Sequence, residues 1–349
     1  MAAFFSPFIS KPDNVARIMF RVLLALVPGI ALYMWYFGPA ILVSITLASL
    51  TALGTEALML KLRDRPVIPF LKDNSALLTA WLLALSIPPL APWWLVVVGT
   101  AFAIVIAKHL YGGLGNNLFN PAMVGYAVLI ISFPLQMTHW IAPHGLGQTE
   151  LDLLDQLGYI FRGALPNNVT LDAITMATPL DTLKTHLHLD QTVGQILDMP
   201  IYGRLAGQGS EIVSLGFLLG GIYLLVTRII SWHIPVAYLG TLFITAGIFH
   251  LSDPAHYVTP LFHWFSGAAI LGAFFILTDP VSSPTTNTGR LIFAAGAGLI
   301  TYLIRAFGGF PDGIAFATLL MNICVPLIVL YTQPKVFGKK DGDKKDRPS

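Results

Sequence analysis

The sequence predicts an all-α integral membrane protein, with about ten transmembrane helices in two inverted five-helix repeats. Hydrophobic residues make up 55% of the 349-residue chain and charged residues only 11%, whereas soluble proteins carry roughly 25% charged residues because their surfaces face water. Much of the surface must therefore face lipid. The only cysteine, Cys324, lies in an apolar run, so we expect no disulfide, no metal site and no catalytic residue in this chain.

Ten apolar segments approach the roughly 20 residues that a helix needs to cross a bilayer. The third and eighth are short and contain or adjoin Pro and Gly, which is typical of broken or re-entrant helices. The predicted spans are 18–37, 41–60, 76–90, 94–110, 121–137, 212–230, 234–251, 262–277, 291–307 and 314–331.

The distribution of basic residues predicts that both termini lie in the cytoplasm. Loops on the cytoplasmic side of a membrane protein are enriched in Lys and Arg, and an even number of spans returns the basic tail to the side of the N-terminus. The predicted cytoplasmic set is Lys11, Arg17, Lys61, Arg63, Arg65, Lys72, Lys108, Arg228, Arg290 and the tail KVFGKKDGDKKDRPS. The outer set is Arg162, Lys184, Arg204 and Arg305.

The spans divide the chain into two halves around a polar segment. We expect a first five-helix repeat at 1–137, a periplasmic segment at 138–211, a second repeat at 212–334 and a basic cytoplasmic tail at 335–349. SALLTAWLLALSIPP and YGGLGNNLFNPA in the first half correspond in order to SGAAILGAFFILTDP and FGGFPDGIAFA in the second. Because each half holds an odd number of spans, the two copies must be inverted, and inverted repeats usually place their site between the halves.

A few charged residues fall near membrane depth, where an ionisable group is costly and therefore a functional candidate. The acidic ones are Glu56, Asp73 and Asp279, and the basic ones are Arg21, Lys108, Arg228 and Arg305. We expect the basic side chains to extend to the interface, and Glu56 can also reach the cytoplasmic surface, one turn before Leu60.

The segment DAITMATPLDTLK (172–184) is the most informative part of the periplasmic region. By local chemistry alone it predicts a helix start, since Thr178 precedes Pro179 and Asp181 follows three residues later. A solvated acidic loop and a folded functional segment both fit the composition of the surrounding region.

Five sequence blocks, in order along nearly the whole chain, carry a resemblance to a known family. They are DNSALLTAWLLALSIPP, KHLYGGLGNNLFNPAMVGYA, DAITMATP, ILTDPVSSPTTNTGR and FGGFPDGIAFATLLMN. The chain resembles the RnfD family, whose members are membrane components of the Rnf electron-transport complex. More distantly it is similar to NqrB, a membrane component of the sodium-pumping NADH:quinone oxidoreductase.

The resemblance implies a covalently bound FMN. In that family the phosphate of FMN is attached to the threonine that ends an Asp-x-x-(Ser/Thr)-x-Ala-Thr motif. Here the motif corresponds to Asp172, Thr175, Ala177 and, as the acceptor, Thr178. The commoner motif has Gly where Met176 stands. A separate flavin transferase is implied for the attachment.

Two blocks rich in small polar residues, GGLGNNLFNPA (112–122) and TDPVSSPTTNTGR (278–290), are predicted at the cytoplasmic side. Relatives hold a second, non-covalent flavin, riboflavin, and these blocks are candidates for binding it, or an ion. Turn and helix-cap chemistry explains any one of these residues equally well. The candidate residues are Asn116, Asn120, Asp279, Ser282, Asn287 and Arg290.

Two functions compete. The resemblance implies a multi-pass subunit of a bacterial inner-membrane complex that carries electrons through FMN. Electron transfer between ferredoxin- or NADH-type donors and acceptors would be coupled to Na⁺ or H⁺ translocation, with the other Rnf subunits, a flavin transferase and the lipid bilayer as partners and no nucleic acid. The alternative is a secondary transporter or channel without a redox role, because an inverted five-plus-five repeat is also a transporter design.

Overall fold

The computed structural model describes residues 14–147, 149, 151–166 and 169–333, and this part of the chain is almost entirely helical. The predicted tail at 335–349 lies outside the described residues. The first half consists of α1 (Val15–Phe37), α2 (Ala40–Leu62), α3 (Val67–Leu71), α4 (Ser75–Ser86), α5 (Trp93–Phe102), a π-helical segment (Ala103–His109), α6 (Pro121–Ser132) and α7 (Pro134–Thr138).

A polar segment and the second half follow. The segment contains β1 (Trp140–Ile141), α8 (Leu153–Arg162), α9 (Leu171–Ile174), β2 (Thr175–Met176), α10 (Pro179–Leu187) and α11 (Val193–Leu197). The second half contains α12 (Ser210–Val226), α13 (His233–Ser252), α14 (Pro260–Phe265), α15 (Ala269–Leu271), a second π-helical segment (Gly272–Ile276), α16 (Asn287–Phe307) and α17 (Ile314–Thr332).

Helical structure is present at each of the ten predicted spans, so the protein is an all-α, multi-pass membrane protein. In the described part of the chain, five helices are long and apolar enough to cross a bilayer on their own, namely α1, α2, α13, α16 and α17. The other predicted spans correspond to shorter apolar helices, and the eighth is divided into α14, α15 and the second π-helical segment.

Three predicted helix ends were wrong by several residues. The third span stops being helical at Ser86 instead of residue 90, where Pro88 and Pro89 follow. The fifth ends at Ser132 instead of 137, because Pro134 restricts the preceding residue and begins the separate helix α7. The sixth ends at Val226 instead of 230, ahead of Arg228, which has a left-handed backbone (φ 58°).

The two halves meet along an antiparallel crossing of α1 and α12. A Cβ on Gly220 would lie 1.8 Å from the Ala25 carbonyl oxygen, and a Cβ on Gly29 would lie 2.3 Å from the Phe217 ring. Gly216 and Gly220 thus form a small-xxx-small stripe that lets the two backbones approach closely. Because the start of one helix meets the end of the other, the two halves have opposite orientations.

The packing partners also repeat between the halves. Helix α2 packs against α4 and α5, and α13 packs in the same way against α14 and α16. The last helices of the two halves, α6 and α17, also contact each other. The two predicted repeats therefore share one packing pattern.

The segment between the halves is folded and covers one end of the helices, which we call the loop side; the other end is the opposite side. A two-stranded antiparallel ladder pairs Trp140 with Met176 and Ile141 with Thr175. One apolar cluster anchors the segment near the first half through Ala40, Leu90, Ile160 and Ile174. A second anchors it to the second half and is formed by Leu180, Leu183, Val193, Ile196, Ile201, Tyr202, Ala206, Val258 and Phe262.

Candidate functional site

Thr178 is the N-cap residue of α10, as the local sequence predicted. Its backbone is extended (φ −66°, ψ 156°), and its Oγ1 accepts a hydrogen bond from the Asp181 backbone N–H at 3.2 Å. Pro179 occupies the first helical position, which suits its fixed φ. The half-buried Thr178 hydroxyl therefore lies at a helix N-terminus, where the helix dipole favours negative charge.

The other motif residues shape the approach to Thr178. The Thr175 hydroxyl donates to the Leu171 carbonyl at 2.9 Å and closes the short helix α9. Asp172 and Ala177 are exposed. The four motif residues thus belong to one compact unit, α9–β2–α10, which presents Thr178 at the surface of the loop side.

The start of α10 is packed closely on the second half. The Tyr202 hydroxyl donates to the Pro179 carbonyl at 3.0 Å, and a Cβ on Gly207 would lie only 2.0 Å from Pro179 Cγ. Leu180 lies over Gly267, where a Cβ would be 2.8 Å from Leu180 Cδ1. Gly267 (φ +59°) lies in the break between α14 and α15, so Thr178 is held directly above a broken span.

Lys184 ties α10 to the turn between α16 and α17. Its Nζ donates to the carbonyl oxygens of Ile304 (3.3 Å), Phe310 (2.9 Å) and Gly308. A cation is favourable at this helix C-terminus. Burial lowers the pKa of the Lys184 ammonium group, and the nearby Asp181 carboxylate opposes this shift.

A buried ion pair lies beneath this contact. Arg305 Nε donates to Asp312 Oδ1 at 3.1 Å, and the same guanidinium donates to the carbonyls of His263 (2.6 Å) and Ser266 (3.0 Å). Asp312 in turn accepts from the Ala268 backbone N–H at 2.8 Å. Arg305 is 5% exposed, so the expectation that it extends to the interface was wrong: its hydrogen bonds to the broken span hold it inside.

On the opposite side, Asn120 and Asp279 line one cavity of about 190 Å³. Asn120 Oδ1 caps α6 by accepting from the Ala122 and Met123 backbone N–H groups, and its Nδ2 donates to the Ile276 carbonyl at 3.1 Å. Asp279 accepts from the Ser282 hydroxyl at 2.7 Å. The cap and turn interpretation is thus confirmed for both residues, and the cavity leaves a binding role open.

The other four candidates for a second flavin do not line this cavity. Asn116 and Asn287 are exposed, and the Ser282 hydroxyl is directed to Asp279. Arg290 donates to the Pro284 carbonyl at 3.2 Å and to the Ser231 hydroxyl at 3.4 Å. The structure therefore brings together two of the six predicted residues.

The same cavity contacts a buried charge cluster. Lys108 Nζ donates to both carboxylate oxygens of Glu56 and to the Ser75 hydroxyl, each at 2.8 Å. Both Glu56 and Lys108 are 2% exposed. The expectation that Lys108, and also Glu56, reaches the surface was wrong, because the two charges are paired with each other inside the protein.

Comparison with known proteins decides the family. A model of the NQR2, RnfD, RnfE family matches residues 3–338. The chain belongs to this family. It is 54% identical to the D subunit of the ion-translocating oxidoreductase complex of Escherichia fergusonii, over 97% of this chain and 98% of that protein. Proteins of the same name from Salmonella paratyphi B and Salmonella typhi share the same identity and coverage. The resemblance inferred from the five sequence blocks is confirmed.

In this family member, the sequence analysis missed the residues that connect the motif to the helices. Lys184 was assigned only to the outer charge set, and Asp312 was not singled out. Both act through partners at least seven residues away, such as Arg305 for Asp312 and Gly308 for Lys184. The repeated aromatic-Gly-Gly turns, which contain Gly308, were the available signal.

Proposed function

We propose that this chain is a membrane subunit of an ion-translocating oxidoreductase complex, coupling electron transfer between ferredoxin- or NADH-type donors and acceptors to Na⁺ or H⁺ movement. The support is its membership of the family and the printed name of its 54% identical relatives. The multi-pass helical fold supplies the membrane location. The other subunits of the complex are its partners, and the bacterial inner membrane is its proposed location.

The carrier of electrons in this proposal is an FMN attached through its phosphate to Thr178. The residues present fit this group: Oγ1 is at the N-cap of α10, where a phosphodiester anion is stabilised by the helix dipole and free backbone N–H groups. The adjacent Ala177 is exposed and small, so a flavin transferase can approach. When bound, FMN would supply the redox chemistry, while the protein supplies position and surroundings.

The loop side is the periplasmic side in this proposal. Basic residues close to the span ends concentrate at the opposite side, as the positive-inside rule expects of the cytoplasm. A transferase that modifies Thr178 would therefore act in the periplasm. The accessible position of the motif, outside the helices that cross the membrane, is the single observation that carries the assignment.

Substitution of Thr178 tests the proposal. Thr178→Ala should abolish covalent flavin, detected as fluorescence of the denatured protein on a gel and as added mass on the 172–184 peptide. Membrane insertion should persist, because loss of a cap costs about 1 kcal/mol. Thr178→Ser should keep some attachment. Thr175→Ala, which removes only the hydrogen bond to Leu171, should also keep some.

The alternative function, a secondary transporter or channel, predicts a different result. Wild-type protein from cells that contain the transferase would then carry no covalent flavin. That outcome would remove the electron-carrier proposal. Flavin mass on another residue of the segment would reject Thr178 and keep the carrier.

We also propose that the cavity at Asn120 and Asp279 is the site of the second, non-covalent flavin, riboflavin. At about 190 Å³ it is smaller than the roughly 300–1,000 Å³ of typical ligand pockets, so the described residues fit only part of such a ligand. Solvent extraction of purified wild type should release free flavin, and Asn120→Ala or Asp279→Ala should lower the amount. Asn116→Ala, at an exposed residue outside the cavity, is the control. An extract without free flavin would reject the site.

A further inference from the structure

A second cavity, of about 250 Å³, opens on the loop side between the end of α1, the start of α2 and α8. Three consecutive aromatic residues, Trp35, Tyr36 and Phe37, form one wall. Ile141 and Ile174, which flank the β1–β2 ladder, form another. This cavity contains none of the residues assigned to either flavin above.

Gln156 gives this cavity an unsatisfied hydrogen-bond acceptor. The residue is 4% exposed and lines the cavity, and its Nε2 donates to the Leu151 carbonyl at 2.9 Å. Its Oε1 is buried and has no hydrogen-bond partner in the described part of the chain. Buried polar atoms of native proteins nearly always have partners, so a ligand with a hydrogen-bond donor is expected here.

The chemistry of the wall restricts the ligand further. Among the described lining residues there is no Asp, Glu, Lys or Arg, so neither an ion nor a phosphate finds a charged partner. The aromatic wall favours a flat ring system. A quinone presents only acceptors and would leave Gln156 Oε1 unpaired. The ligand that fits is a neutral, flat heterocycle with an N–H donor.

Thr178 is linked to this cavity by two short routes. Residues 174–178 connect the cavity wall to Thr178, a distance of at most about 14 Å even when fully extended. On the other route, Pro179 packs on Gly207, and a Cβ on Gly209, two residues later, would lie 3.1 Å from the Tyr36 ring. The ribityl chain of an FMN on Thr178 would thus begin close to the aromatic wall.

We propose that this cavity binds the isoalloxazine ring of the flavin carried by Thr178, with Gln156 Oε1 accepting a hydrogen bond from the ring imide N–H. This inference rests on the proposed covalent FMN. It makes Gln156 and the aromatic wall the surroundings that hold the ring and exclude water from it. The ring then lies over the first half of the protein, although its phosphate is anchored above the second.

The test measures how well iodide quenches the fluorescence of the covalent flavin in the purified full-length chain. The signal of Thr178→Ala protein, which keeps any non-covalent flavin, is subtracted. A site that buries 70–90% of its ligand shields the ring, so Gln156→Leu should raise the quenching constant about threefold. Ala142→Phe, which fills the cavity, should do the same if Gln156→Leu fails to fold. Gln208→Leu, at an exposed glutamine of the same segment, is the matched control.

In-gel flavin fluorescence of the denatured band separates this inference from the proposed function. If wild type carries no covalent flavin, the proposed function fails and this assignment with it. If the band is fluorescent but the ring is fully open to iodide in wild type, the cavity assignment alone is overturned. Equal shielding in wild type, Gln156→Leu and Ala142→Phe overturns it as well, because the ring is then held elsewhere.

Discussion

Glu56 and Lys108 show how charged side chains are accommodated within the helices of this protein. Each is 2% exposed, and Lys108 Nζ lies 2.8 Å from both carboxylate oxygens of Glu56. The Ser75 hydroxyl accepts the third hydrogen bond of the ammonium group and passes the network on to Asp73. A buried pair of this kind adds little net stability, but each charge depends strongly on the other.

We therefore expect Lys108→Met to destabilise the protein by about 3–5 kcal/mol, because it leaves the Glu56 charge buried without a partner. The double substitution Glu56→Gln/Lys108→Met should recover most of that loss. Unfolding in detergent, followed by denaturant or temperature, measures both. Lys72→Met, at an exposed lysine, should change stability by no more than about 0.5 kcal/mol. A Lys108→Met protein as stable as wild type would show that the pair is not formed.

Residue-level prediction from sequence succeeded where the contacts are local. The cap at Thr178 involves Asp181, three residues away, and was predicted from the Thr-Pro pattern. The Glu56–Lys108 pair joins residues 52 positions apart, and hydropathy gives no information on which side chains meet across such a distance. The unpaired oxygen of Gln156 was missed for the same reason, since burial arises from the packing of α8 on the helices.

At the scale of elements, α10 is the helix that joins the flavin-attachment motif to the membrane helices. Leu180 and Leu183 bury it in an apolar cluster, and Lys184 holds its far end to three carbonyl oxygens of the α16–α17 turn. Hydrogen bonds to a charged group contribute roughly 1.5–3 kcal/mol. The position of Thr178 above the α14–α15 break therefore depends on contacts at both ends of the helix.

Lys184→Met should loosen α10 without preventing flavin attachment at Thr178. A loss of about 1.5–3 kcal/mol corresponds to about ten- to hundredfold faster amide hydrogen exchange in this helix. Exchange measured by mass spectrometry on peptides from 179–187 provides the test. Arg204→Met, which removes an exposed charge from the same segment, is the control. Unchanged exchange in Lys184→Met would show that the apolar cluster alone holds α10.

The positions of elements were largely predictable, whereas their breaks were not. Long apolar runs locate α1, α2, α13, α16 and α17, because only a helix satisfies the backbone inside a bilayer. The sequence also indicated that the third and eighth spans are short. The break at Gly267 depends on Asp312 and Arg305 from other helices, so its place could not be derived from the local sequence.

At the scale of the whole molecule, the two halves form one unit through their first and last helices. The antiparallel crossing of α1 and α12 uses Gly216 and Gly220, and α6 contacts α17. The two ends of this unit differ in character. One carries the folded segment and Thr178, and the other carries the cavity at Asn120 and most of the basic span ends.

The orientation of this unit in the membrane is the last prediction. Reporter fusions after Arg63, Lys108 and Lys340 should be cytoplasmic, since these points follow the basic span ends that the positive-inside rule keeps inside. Fusions within 145–157, and a control after Gly38 that contains only the first span, should be periplasmic. The pairs of reporters should be complementary, one active only in the cytoplasm and the other only in the periplasm. A periplasmic signal at Lys340 would mean an odd number of crossings. Five segments in each half could not then all cross, and the inverted relation that α1 and α12 display would no longer extend to both halves.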